Sequence, residues 1–128
     1  MKHFFLAIFL LTTTCSVTLP GIAVAQTTTV TLAAFTTKVN LLDSYIAAGN
    51  MAAANSTWTE VHNMMLNVLA KSKTSIRSAT TTTDKDAHIS ILQDQETKYW
   101  AVWNLKTNLA TNRAAIRTKL GEFGATIY

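Results

Sequence analysis

From Leu32 onward, apolar residues fall at Leu32, Phe35, Val39, Leu42 and Ile46. Spacings of three, four, three and four put them on one face of a helix. Leu41 and Tyr45 widen that face. Gly49 ends it, because glycine just past a helix takes the left-handed conformation at little steric cost. The pattern predicts a first helix over about 31–48, after a threonine-rich lead from Gln26 to Thr31 that is expected to be loose. Asn50 is a suitable cap for a second helix over about 51–78. Its buried stripe is expected at Trp58, Val61, Met65, Val68, Leu69, Ser72 and Ile76. Lys71, Lys73 and Arg77 fall in its last turns, where cations complement the helix dipole.

Ala79 leads into Thr80 to Thr83, a run of β-branched, hydroxyl-bearing residues that continues a helix poorly. A third helix is predicted over about 84–120, with Thr83 and Asp86 spaced as a capping box. Its apolar positions are Leu92, Tyr99, Val102, Leu109, Ile116, Leu120 and Phe123, with Trp103 flanking. Lys106 and Arg113 interrupt the stripe and must snorkel. At 1.5 Å per residue this helix spans roughly 55 Å, longer than its neighbours, so a kink or a frayed end is expected. No proline follows Pro20, no strand-like alternation persists, and the connections are short. The expectation is an all-α fold, a small antiparallel three-helix bundle running up, down and up. In that layout Lys71, Lys73 and Arg77 pair across the turn with Asp84 and Asp86, each exposed pair contributing about 0–1 kcal/mol.

The first residues follow another pattern. Lys2 precedes an unbroken apolar run from Phe4 to Leu11, and Ala23-Val24-Ala25 precedes Gln26. A positive start, an apolar middle and small residues two apart are the three parts of a secretory signal. Cleavage is expected after Ala25, leaving Gln26 first. Thr12 to Thr14, Ser16, Thr18, Pro20 and Gly21 interrupt the stretch, which argues against an uncleaved span of roughly 20 apolar residues. Thr12 and Thr14 stand where a lipoprotein box before Cys15 needs an aliphatic and a small residue. Removing 25 of the 128 residues leaves 103, without the only cysteine or the only proline. That length suits one domain held by its apolar core alone.

Residues Leu41 to Val61 resemble one tetratricopeptide-repeat unit. Leu41, Tyr45, Gly49, Ala54, Trp58 and Val61 stand at spacings similar to that family's consensus. The resemblance covers about one fifth of the chain, with no second copy at the expected period. It implies a helical hairpin in which small Ala54 permits close approach, Tyr45 and Trp58 fill the space beside it, and Gly49 makes the turn.

Candidate chemistry is sparse. Without Lys2, ten Lys and Arg face seven Asp and Glu, too mild an excess to suggest nucleic acid or a polybasic membrane tether. His62 lies near Met51 and Met64, and imidazole with thioether suits copper(I). Met65, which shares a helical face with His62, is expected in the core. His88 follows Asp84 by one turn, which reads as a salt bridge at a helix start. Asp94 and Glu96 point about 200° apart and cannot work as an acid–base pair. Tyr99 and Trp103 lie one turn apart and can stack, while Trp100 is rotated away from them, either to meet solvent or to cover the joint between helices. Exposed tryptophans are frequent binding hot spots.

These residues name no catalytic group and no cofactor. They lead to the expectation of a non-catalytic protein, exported through a Sec-type signal to the periplasm or outside the cell. It is expected to bind a protein or peptide through Trp100 and Trp103, without stable membrane insertion after cleavage, and three amphipathic helices can also pair into a homodimer. The alternatives are a periplasmic chaperone of the stress type and a metal-binding protein using His62 with Met51 and Met64.

Overall fold

The computed structural model describes residues 28–128, so the expected signal segment, Cys15 and the expected Ala25–Gln26 cleavage position lie outside the described residues. The described chain is all-helical, with four helices where the sequence pattern predicts three. They are α1 (Leu32–Ala47), α2 (Met51–Ser78), α3 (Thr82–Trp103) and α4 (Arg113–Gly124), with a 3-10 turn at Lys106–Asn108.

Local signals set the first three starts. Thr31 Oγ1 accepts from the Ala34 amide at 3.2 Å, and Asn50 Oδ1 accepts from the Ala53 amide at 3.2 Å. Thr81 Oγ1 accepts from the Asp84 amide at 3.1 Å, so the α3 cap is Thr81 rather than Thr83. Each bond satisfies an amide that has no partner within the helix. At the end of α1, Gly49 takes φ +71°. The Gly49 amide donates to Ile46 O and the Asn50 amide to Tyr45 O, which is the Schellman arrangement. The same Asn50 then opens α2, so the chain reverses within three residues.

The third helix departs from expectation. Instead of running to Leu120, it stops at Trp103 and the chain turns back as α4. The segment between is rich in Asn and Thr, whose side chains compete with the helical ladder for backbone groups. Asn108 Oδ1 accepts from the Thr111 amide at 2.9 Å, and Asn112 Nδ2 donates to Leu105 O at 2.8 Å. The turn lets α4 pack on both α3 and α1. A continuous helix would have carried Ile116, Leu120 and Phe123 beyond its partners, yet all three are buried.

Each helix packs on its sequence neighbours, and α4 closes back onto α1. The bundle is therefore four-membered and antiparallel. Its core comprises Phe35, Val39, Leu42 and Ile46 of α1; Ala54, Val61, Met65, Val68 and Leu69 of α2; Tyr99 and Val102 of α3; and Ile116, Leu120 and Phe123 of α4. Phe35 and Phe123 meet with ring centroids 5.7 Å apart. Gly124 allows this approach, since a Cβ there would lie 3.2 Å from Phe35 Cδ1. Val30, expected in a loose lead, is buried in the core.

At about 42 Å, α2 outreaches α1 at about 24 Å. The chain end fills the overhang. Ser72 Oγ donates to Gln95 Oε1 at 2.6 Å, and Gln95 Nε2 donates to Thr126 O at 3.2 Å. Tyr128 donates from its hydroxyl to Ser75 Oγ at 3.2 Å, and Lys71 donates to the Tyr128 carbonyl. The expected ion pairs across the α2–α3 turn do not form. Among the described residues, Lys73 pairs with Glu96 at 3.8 Å, and Lys71 lies over the Tyr128 ring. Nor does His88 pair with Asp84: its ring faces Tyr128 at 6.3 Å, and its buried Nδ1 has no hydrogen-bond partner.

Candidate partner-binding site

One end of the α2–α3 seam gathers Tyr99, Trp100 and Trp103 beside His62. Tyr99 and Trp103, one turn apart on α3, face α2, with rings stacked 6.0 Å apart at 18°. His62 of α2 lies against both, 4.8 Å from Trp103 and 5.8 Å from Tyr99. Its Nε2 is 2.9 Å from the Tyr99 hydroxyl, and the tautomer decides which of the two donates. Lys106, just beyond the end of α3, holds its ammonium 3.1 Å from the centroid of the Trp103 ring. This is a cation–π contact and the form that its expected snorkelling takes.

Burial shapes the electrostatics of this cluster. The His62 imidazole titrates below its ordinary value of 6.5, first because it is desolvated and then because Lys106 is a nearby positive charge. The Tyr99 phenol is pushed upward, also by burial. At neutral pH the pair is therefore an uncharged imidazole bonded to an uncharged phenol, wedged beside a ring that carries a cation on its face.

Trp100 sits next to this cluster but points out of it. One residue beyond Tyr99, it is turned about 100° around α3. Its ring is 55% exposed and touches Tyr99 edge-on at 5.2 Å and 78°. Trp103, by contrast, is half-buried between His62 and Lys106. The structure thus separates two residues that the sequence grouped together: Trp103 braces, and Trp100 presents a surface.

The candidate metal ligands do not come together. Met51 and His62 stand eleven residues apart on one helix, a rise of about 16 Å, which no single ion bridges. Met64, two residues from His62, points to another side of α2 and packs against the core. The His62 Nε2 is already engaged by Tyr99. Among the described residues, no three His, Cys, Asp or Glu side chains converge on a common point. No described helix is long and apolar enough to cross a membrane.

Two groupings carry no sequence motif. The His62–Tyr99 bond joins residues 37 apart, and only the pairing of α2 with α3 brings them together. Arg113 and Arg117 stand one turn apart on α4, but the Asp43 that both engage lies 70 residues upstream of Arg113 and 74 upstream of Arg117. Comparison of the chain with family models, curated proteins and solved structures finds no match.

Proposed function

We propose that this is an exported, non-catalytic helical protein that binds a protein or peptide partner through the face centred on Trp100. The observation that carries this reading is a half-exposed indole held edge-on by a tyrosine that is itself buried and stacked. A rigidly supported aromatic loses little conformational freedom on binding, so more of its contact energy survives as affinity. Lys106 on the neighbouring Trp103 ring adds a positive charge at the rim. The partner segment best suited to this face therefore offers an apolar side chain beside a carboxylate.

Export rests on the pattern of the first 25 residues. Mass spectrometry of the exported protein should show a chain beginning at Gln26. An exported product that retains Met1 would remove this part of the proposal.

Binding is tested by selecting peptides from a displayed random library against the purified protein. The selected peptides should combine apolar and acidic residues. Trp100→Ala should weaken their binding by at least about 30-fold, the loss typical of a hot spot worth 2 kcal/mol or more. Peptides that bind the variant as tightly as the parent would sink the assignment of this face, and a selection that yields no binder would sink the peptide-binding reading itself.

A further inference from the structure

The α1–α4 seam, formed by the two helices that do not carry the aromatic cluster, holds two guanidinium groups over one carboxylate. Arg113 donates from Nε and Nη2 to the two oxygens of Asp43, at 2.7 and 2.9 Å. Arg117 adds a longer contact from Nη1, at 3.3 Å. The Asp43 side chain is only 14% exposed, whereas that of Arg117 is 61% exposed. The carboxylate thus lies beneath, and the guanidinium groups face outward. The Arg113 hydrogen bond, together with the charges of Arg113 and Arg117, holds the Asp43 carboxyl below its ordinary value against the opposing cost of burial. Asp43 is therefore ionised at neutral pH, and the trio carries one net positive charge. Among the described residues, neither arginine pairs with any other carboxylate.

In front of this trio opens a cleft of about 380 Å³, lined by Asp43, Ala110, Thr111, Arg113, Ala114 and Arg117. Ala110 and Ala114 keep it wide, and Thr111 brings a hydroxyl. Each guanidinium has five N–H donors, and Asp43 engages two from Arg113 and one from Arg117, so both forks keep free donors. Planar forks suit the geometry of carboxylate and phosphate oxygens.

We propose that this cleft binds an oxyanion, a carboxylate or a phosphate group. Arg117 supplies the uncompensated charge, Arg113 shares the ligand, and Asp43 is a positioning residue that fixes both forks. The charged pair and its cleft carry the assignment, and the first turn of α4 behind them adds a weak positive field.

The test is a ¹H–¹⁵N NMR titration of the purified protein, observing backbone amides and arginine Nε groups. Inorganic phosphate and succinate are added separately, with sodium chloride adjusted to hold ionic strength constant. Saturable shifts at Arg113 Nε, Arg117 Nε and the Thr111 amide are expected for at least one anion. Arg117→Gln, at an exposed position that leaves the core untouched, should weaken binding by at least about tenfold. Saturation by one anion alone identifies the chemical source, and saturation by both supports the shared chemistry. Linear shifts with both anions, or unchanged affinity in Arg117→Gln, would overturn the proposal. None of these outcomes bears on Trp100, so this site and the aromatic face stand or fall separately.

Discussion

Two hydrogen bonds tie α2 to α3, and they occupy very different surroundings. Ser72 and Gln95 are fully buried, bonded at 2.6 Å, and linked onward to the Thr126 carbonyl. His62 and Tyr99 are bonded at 2.9 Å at the edge of the bundle, among aromatic rings and beside a lysine. In the first pair the polar atoms depend on protein partners, because both residues are fully buried. In the second, solvent is close enough to soften any loss. Full burial makes a polar pair a structural fastener, whereas partial burial leaves a group able to titrate and beside a face that is free to bind.

The comparison is tested most severely by Gln95→Ala. It removes the donor to the Thr126 carbonyl, leaves the Ser72 hydroxyl only its longer contact with the Tyr128 hydroxyl at 3.4 Å, and opens a cavity, so a loss of about 2–4 kcal/mol is expected in urea denaturation. A loss below about 1 kcal/mol would mean that water reaches the pair. Tyr99→Phe removes only the phenol hydroxyl at the half-buried bond and should cost about 0.5–1.5 kcal/mol by the same measurement. If it cost as much as Gln95→Ala, the contrast between the two pairs would disappear.

The pH dependence sharpens the same point. The folded protein holds His62 with a lowered pKa, so between that value and 6.5 the unfolded chain binds the proton more readily than the fold does. Stability contributed by the neutral imidazole is therefore present above pH 6.5 and falls as the pH drops through the folded pKa. Urea midpoints followed from pH 7 to pH 5 should decline more steeply in the parent than in His62→Gln. Parallel curves would show that His62 does not experience the burial described here. The smallest effect is expected for Trp100→Ala, which should change stability by no more than about 0.5 kcal/mol because Trp100 is half-exposed and outside the buried core. A larger loss would reassign Trp100 from a binding surface to the packing of α3.

Much of this fold was legible along the chain. The α1 stripe of Phe35, Val39, Leu42 and Ile46, the Gly49 reversal and the Asn50 cap all depend on groups within about four residues of one another. A spacing rule can therefore find them. The same geometry turned Trp100 away from Tyr99, but only the packed bundle decided that it meets solvent rather than covering a joint between helices. The break after Trp103 was harder. The apolar stripe runs on at Leu109, Ile116 and Leu120, so periodicity argues for continuation, while the Asn and Thr residues that end the helix act through individual side-chain bonds. The Val30 lead was also misjudged: Val30 lies near Val68 and Lys71 of α2 and near Ile127, residues distant in the chain that its threonine-rich neighbours do not announce.

By itself the sequence determined where α1 and α2 begin and end, which faces of all the helices are apolar, and that no described helix needs a proline kink. Tertiary structure alone decided that α4 folds back onto α1, that Asp43 meets Arg113 and Arg117, and that His62 meets Tyr99 while Ser72 meets Gln95. The physical reason is range. Helix signals act across one or two turns, whereas these pairings depend on which helix lies alongside which, and that is set by the burial of Ile116, Leu120 and Phe123 once the chain has turned.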